Sequence, residues 1–434
     1  MAKLNPFSRV DSADISAVQR AYGAPLYLYD EDFIIRKCNI LLSMPSAYGM
    51  CTRYALKANS TRAIIRIIDR AGLDFDASSL NEVRRALLAG VSLRRIMLTS
   101  QEVPFGEDRA CLERFMLDGL KYNVCSLRQL ELVVDFATEH HISLSIRLHP
   151  GIGSGESASR NTGDDYSCFG VHLSDIEDVL ALASAKGALF ERVHVHIGSG
   201  GSSELWQRNI DLELSLLDKY FPHANTINFG GGLSEARMPD EIGAHIDALG
   251  AYAKDKLEGY YAQTGRKLQM EIEPGTFIVA NAGYVVTNIL DKKSTRSGLN
   301  FIVADGGMEM NTRPLMYGSR HPFYIISQDG ELLSSEFFPA TLSAGFSAVI
   351  VGRCCESGDA QSLDKNGLCV PRAMTEPNLG DIVVIGGTGA YCSSMSPFNY
   401  NSHIQAPEVL LTQEGKLKLI RRSQTLEQII QNEI

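Results

Sequence analysis

Lys57 closes a short apolar run, Tyr54-Ala55-Leu56. A primary amine at the mouth of a strand is a nucleophile for carbonyl carbons once its surroundings lower its proton affinity. Further short runs end in other reactive or small groups: Asp76, Arg147, His196 with Ser199 close behind, Gly230-Gly231-Gly232, and Glu273. The three glycines let backbone N–H groups approach an anion closely, as a phosphate site requires, and Ser199 adds a hydroxyl. Taken alone, such a loop is more often a tight turn. Beside a reactive lysine it points to pyridoxal phosphate, held as a Schiff base. Glu273 would then keep the pyridine nitrogen protonated, which favours decarboxylation and other carbanion chemistry.

The remaining candidates each carry two readings. His196 either stacks on the cofactor ring or is a satisfied core histidine. Asp76 either pairs with Lys57 or caps a helix before Ser78-Ser79. Arg147 is either an ion partner of the site or a structural salt bridge. In Arg353-Cys354-Cys355-Glu356-Ser357-Gly358-Asp359 a cysteine beside acids is a candidate proton donor, although free cysteines are usually packing residues. Arg313 suits bidentate carboxylate binding or is an ordinary surface arginine. Tyr391, after Gly386-Gly387-Thr388-Gly389-Ala390, either reaches a phosphate or caps a core.

These groups must be positioned by regular elements. Eight strand-like runs, Arg53–Lys57, Leu73–Ala77, Ile96–Ser100, Lys121–Cys125, Leu144–His149, Val193–Ile197, Thr226–Phe229 and Leu268–Glu273, alternate with helical patterns such as Ser79–Ala89, Ser126–His140, Asp175–Ala185 and Glu241–Thr264. That rhythm predicts an α/β fold, a TIM-like (β/α)₈ barrel over residues 30–278, whose strand ends converge on one face. The segment Gly151–Asp165, rich in Gly, Ser, Asn and Asp, reads as a mobile lid or a surface excursion. After Gly275 the alternation stops. Short runs between turns predict a C-terminal all-β domain, residues 279–434, completed by the N-terminal segment 1–29.

With 434 residues, 44% of them hydrophobic, the chain has enough apolar surface for two cores. A net charge of -10 argues against nucleic-acid partners, and no apolar stretch is long enough to cross a membrane. Nine cysteines without CxxC pairs or histidines at zinc spacing predict no metal, reduced thiols and a cytoplasmic protein.

Eight ordered segments carry a resemblance: YALKANS, FDASSLNE, HVHIGSG, NFGGGL, EIEPG, DGGMEMNTRPLMYGSRH, CCESGD and GAYCSSMSPFNYNS. They resemble the fold type III pyridoxal-phosphate decarboxylases, and within that family the branch acting on meso-diaminopimelate. The resemblance implies that Lys57 bonds the cofactor, His196 stacks on it and Glu273 contacts its ring nitrogen. Asp76, Arg147 and Gly231 join the cofactor site, and Ser199, Gly232, Gly275 and Tyr391 hold the phosphate. It further implies that Arg313, Tyr317, Glu356 and Tyr391 bind an amino-acid substrate. Cys355 would protonate the carbanion, in a homodimer with shared active sites. Two departures stand out: Thr276 replaces the family's arginine after Glu-Pro-Gly, and Cys168 replaces the lysine of its Lys-Phe-Gly. The ornithine-type decarboxylases share the barrel motifs but usually lack the Arg313–Tyr317 segment, which favours a substrate with a second amino-acid head. Decarboxylation of another basic amino acid (ornithine, arginine or D-lysine) is the alternative, and a catalytically dead partner-binding relative a more distant one. Glu273 argues against the racemases of similar architecture, which generally place arginine there.

Overall fold

A computed structural model describes residues 2–151, 167–198, 202–342, 345–364 and 366–434. The chain divides into two compact units. One comprises Lys37–Ser234 and Gly243–Phe277; the other comprises Met1–Arg36, Glu235–Ile242 and Ile278–Ile434.

The first unit is a closed parallel barrel. Its strands are β1 (Met50–Ala55), β2 (Asp74–Ala77), β3 (Ile96–Leu98), β4 (Lys121–Val124), β5 (Leu144–His149), β6 (Phe190–Val195), β7 (Thr226–Asn228) and β8 (Gln269–Ile272). They pair in chain order, and β8 returns to β1 through the register Met270 to Met50. A two-residue strand, Val171–His172, adds to β5. Both faces of the strands are buried, but by different residue types. Tyr54, Phe75, Tyr122, Ile146, Val193, Ile227 and Ile272 are fully buried apolar residues. They alternate with Arg53, Asp76, Asn123, Arg147, His194, Asn228 and Glu273, so the polar set shares the opposite face. The apolar set meets the helices: the Trp206 ring, on helix Ser203–Tyr220, lies edge-on to Phe229 at 5.7 Å.

Helix starts follow side-chain caps. Ser79, Ser126 and Ser202 accept from the backbone N–H groups of Glu82, Gln129 and Leu205, so Leu80–Ala89, Leu127–Glu139 and Ser203–Tyr220 each begin one residue after a serine. The first strand ends at Ala55, two residues earlier than the apolar run suggests. Lys57 therefore sits in a 3₁₀ turn, Leu56–Ala58, rather than on the strand itself.

In the second unit a ten-stranded sheet carries the core. The N-terminal strand Leu26–Asp30 lies inside it, antiparallel to Gly283–Ser294 and parallel to Glu408–Leu411. Leu26 and Leu28 share one cluster with Val10, Ile15, Tyr284, Val384 and Val409. A five-residue helix, Arg313–Tyr317, with Pro314 in its first turn, interrupts the strands. Among the described residues no helix is long and apolar enough to cross a membrane.

Candidate active site

The barrel interior is filled with charge rather than hydrocarbon. Arg53 on β1 is fully buried and forks onto Glu271 of β8, with Nη2 to Oε1 at 2.7 Å and Nε to Oε2 at 3.0 Å. Arg192 of β6 reaches past β7 to the same Glu271 Oε2 at 3.0 Å, and Arg53 Nη1 lies 3.4 Å from Asp74 of β2. Burial alone would raise the Glu271 pKa. The Arg53 and Arg192 guanidinium groups outweigh it and hold the carboxyl below its usual range.

Two positions further along the same strands lies a second polar layer, linked side chain to side chain. Thr99 Oγ1 donates to Asp76 Oδ1 at 2.7 Å, and Asn123 Nδ2 donates to Thr99 Oγ1 at 3.2 Å. Asn123 Nδ2 also lies 2.8 Å from His194 Nδ1, whose Nε2 stands 3.2 Å from Glu273 Oε2. Asn228 closes the row. Its Nδ2 donates to Glu273 Oε1 at 2.7 Å, and its Oδ1 accepts from Gly230 N at 2.9 Å. The two acids are pushed apart. Burial, then the Glu273 charge, raises Asp76 well above the carboxylate range. Burial also works against the Glu273 charge, but His194, His196 and Lys57 prevail and hold its pKa well below the ordinary glutamate value.

Above this layer the strand ends open. Lys57 is exposed, and its charge acts on Asp76, Glu82, His196 and Glu273. His196 Nδ1 accepts from Gly231 N at 2.9 Å, and burial followed by the Lys57 and Arg147 charges depresses its pKa well below the usual histidine value. A neutral ring results. Arg147 is buried with its guanidinium over Phe169 at 5.1 Å; its Nε has no hydrogen-bond partner among the described residues. The glycine loop leaves no room for side chains. A Cβ at Gly230 would stand 2.5 Å from Val195 O, one at Gly231 2.7 Å from Glu273 O, and one at Gly232 2.8 Å from Gly198 O. Gly275 is packed tightly but less closely, its Cβ position lying 3.0 Å from the Cβ of Ala58 beside Lys57. Ser199 and the expected lid from residue 152 to Asp165 lie outside the described residues.

The β unit gathers its own candidates in two groups. Arg313 is buried, not a surface arginine, and its guanidinium lies 5.7 Å from the Tyr317 ring and 5.8 Å from the Tyr391 ring. Tyr391 adopts a left-handed backbone, φ 57°, at the end of its glycine turn. Cys355 and Glu356 are exposed on a turn pinned from below by Asp359. That carboxylate accepts from Met308 N and Cys354 N, each at 2.7 Å, and so ties the CCESGD segment to DGGM. Cys355 N donates to Asn401 Oδ1 at 2.7 Å and Tyr400 OH donates to Glu356 Oε2 at 3.3 Å. Ser357, Gly358 N–H and Tyr400 hold Glu356 below its ordinary pKa.

This arrangement has counterparts among known proteins. The diaminopimelate decarboxylase of Escherichia coli (strain K12) is 31% identical over 420 residues, 95% of this chain and 94% of its own. A solved diaminopimelate decarboxylase superposes with a TM-score of 0.86 at 29% identity over 98% of both chains. That of Helicobacter pylori, complexed with L-lysine, gives 0.79 at 26%, covering 96% of this chain and 98% of its own. Residues 34–280 match the family described as "Pyridoxal-dependent decarboxylase, pyridoxal binding domain". The chain belongs to the pyridoxal-dependent decarboxylases.

The residues present fit that family's cofactor, pyridoxal 5'-phosphate. The Gly230 and Gly231 N–H groups are taken by Asn228 and His196, which leaves Gly232 and the closely packed Gly275 backbone for a phosphate; an ionised buried carboxylate suits a protonated ring nitrogen, and the exposed Lys57 acts on it electrostatically. Of the second polar layer the sequence singles out Asp76 and Glu273 but not Thr99, Asn123, His194 and Asn228. The signal was available for His194: in a strand, residues two apart share a face, so it must point with His196.

Proposed function

We propose that this chain decarboxylates meso-2,6-diaminopimelate to L-lysine and CO₂, the last step of lysine biosynthesis. The observation that carries the reading is Glu273, a buried carboxylate held ionised by His194 and Asn228 in a barrel that opens at Lys57. The substrate follows from near full-length similarity to diaminopimelate decarboxylases, one of which is complexed with L-lysine, the product proposed here.

Bound pyridoxal phosphate supplies an electron sink for the bond that breaks. The chain's residues do the rest. Lys57 Nζ would hold the cofactor, and its amine would be the group that the substrate amine displaces. The Glu273 carboxylate would keep a proton on the ring nitrogen, and the neutral His196 ring would stack on the cofactor without adding charge. Gly232, with Ser199, Gly275 and Tyr391, would hold the phosphate, and Asp76, Arg147 and Gly231 would join the cofactor site. Arg313, within cation–π reach of two tyrosine rings, binds a substrate carboxylate with Tyr317. Glu356, kept ionised, takes the distal ammonium, and the Cys355 thiol returns a proton to the α-carbon. Two copies form a homodimer that shares its sites, working in the cytoplasm, where nine free cysteines stay reduced.

The test is CO₂ release from meso-diaminopimelate, with ornithine, arginine and D-lysine in parallel and pyridoxal phosphate added. Release from diaminopimelate alone is expected, and Lys57→Ala should abolish it. Release from a different amino acid would move the substrate; a Lys57→Ala enzyme of near-normal rate would overturn the mechanism.

A further inference from the structure

We propose that Asn123 is a positioning residue that fixes His194 as a neutral imidazole protonated on Nε2, so that Glu273 keeps its full charge for the cofactor ring nitrogen. The inference rests on the cofactor reading above and assigns the layer beneath it.

His194 Nε2 stands 3.2 Å from Glu273 Oε2, with both side chains buried. A bare ring nitrogen there would set its lone pair against a carboxylate oxygen, so Nε2 carries the hydrogen. Nδ1 then decides the charge of the ring, and Nδ1 faces the Asn123 amide at 2.8 Å. If the amide presents its nitrogen, Nδ1 accepts and the ring is neutral. If it presents its oxygen, Nδ1 must also carry a hydrogen and the ring is cationic.

Thr99 decides between the two. Its single hydroxyl hydrogen goes to Asp76 Oδ1 at 2.7 Å, an atom that accepts whether the acid is ionised or protonated on its other oxygen. Thr99 Oγ1 thus offers only lone pairs to the Asn123 amide 3.2 Å away, and the amide nitrogen must face it. The second hydrogen of that nitrogen points to His194 Nδ1. Asn123 Oδ1 is left buried without a partner among the described residues, but reversing the amide would orphan two hydrogens instead.

The consequence falls on Glu273. A neutral His194 sets its Nε2 hydrogen beside the carboxylate, 3.2 Å from Oε2, without cancelling the charge, and Asn228 donates a hydrogen bond at 2.7 Å. An imidazolium at 194 would pair with Glu273 and compete with a protonated ring nitrogen. The other titratable groups that interact with Glu273 are Lys57, Asp76, Cys125, His196 and Glu213, each on a different strand end or helix.

The experiment has two readouts. In the ¹⁵N-labelled full chain loaded with pyridoxal phosphate, the His194 imidazole signals are identified by difference from His194→Gln. One protonated and one bare nitrogen, with Nε2 protonated, are expected at neutral pH; two protonated nitrogens or a protonated Nδ1 alone would overturn the proposal. The second readout compares binding of pyridoxal phosphate with an analogue whose ring nitrogen is replaced by carbon. Asn123→Asp puts a carboxylate opposite Nδ1 and should render His194 cationic. The preference for the nitrogen-containing ring should then fall about tenfold, whereas a merely structural role would weaken both ligands alike. An unchanged preference would also overturn the proposal, and if Asn123→Asp does not fold, the wild-type spectrum decides by itself. Failure of the wild type to bind either ligand would strike the cofactor reading instead, leaving the protonation of His194 to be judged separately.

Discussion

Two buried glutamates in the barrel unit show how local partners decide charge. Glu273 receives Asn228 and His194; Glu213, on helix Ser203–Tyr220, is fully buried with neither carboxylate oxygen partnered among the described residues. Burial and then the Glu273 charge raise the Glu213 pKa well above its usual value. In the unfolded chain this acid ionises at its ordinary pKa, so above that pH the folded state binds one more proton and stability falls as pH rises. Glu213→Gln removes the titration. The urea midpoint of the variant should gain on the wild type between pH ~5 and pH ~8; a constant difference would mean that Glu213 is ionised in the fold. Glu273 has the opposite sign, since its stabilisation is present above the ordinary glutamate pKa and is lost as pH falls. Glu273→Gln should cut turnover on the order of a hundredfold, as removal of a fixed charge from a water-poor site does. The decarboxylase rate and the cofactor absorbance, measured together, separate lost chemistry from lost binding.

At the level of strands, the same alternation explains what the sequence disclosed and what it concealed. The outward residues of β1 to β8 meet helices, so they are apolar and announce the strands as short hydrophobic runs. Motif ends such as Lys57, His196 and Glu273 announce the open face. The layers below them were hidden because their partners skip a strand: Arg192 meets Glu271 and His194 meets Glu273 across β7, joining segments far apart in sequence. No local period reports such a pairing. Counting back by two from His196 through His194 to Arg192, or from Glu273 to Glu271, identifies the residues but not their contacts. Boundaries moved for a separate reason, because Ser79 and Ser126 are caps rather than helical residues. The Arg313–Tyr317 helix is too short for any helical period to show. The buried ion cluster also sets a contrast in stability. Arg53→Met leaves Glu271 buried with Arg192 as its remaining guanidinium, and should cost about 3 kcal/mol. Arg128→Ala removes an exposed pair with Glu131 and should cost less than about 1 kcal/mol. Urea midpoints of the two variants test the difference, and equal costs would show that the barrel interior is wet.

For the molecule as a whole, the candidate residues of the proposed reaction divide between two compact units. Lys57 and Glu273 belong to the barrel unit, and Cys355, Glu356 and Arg313 to the β unit. Around the latter, Leu315, Met316 and Phe398 are exposed apolar side chains, next in sequence to the Tyr317 and Tyr400 segments. Exposed apolar groups near catalytic candidates are what a second copy would cover. If the copies share their sites, Lys57→Ala and Cys355→Ala damage different halves of each site. A mixed dimer then keeps one intact Lys57–Cys355 combination and one doubly damaged one. Two inactive variants, unfolded and refolded together, should therefore recover about a quarter of wild-type activity, since about half the dimers of a two-fold assembly are mixed. Each variant refolded alone supplies the baseline, and size-exclusion chromatography checks that dimers form. Recovery to that level requires Cys355 to act on the site of the other copy. Dimers that assemble without any recovery would confine Lys57 and Cys355 to one chain, and the sharing of sites would have to be abandoned.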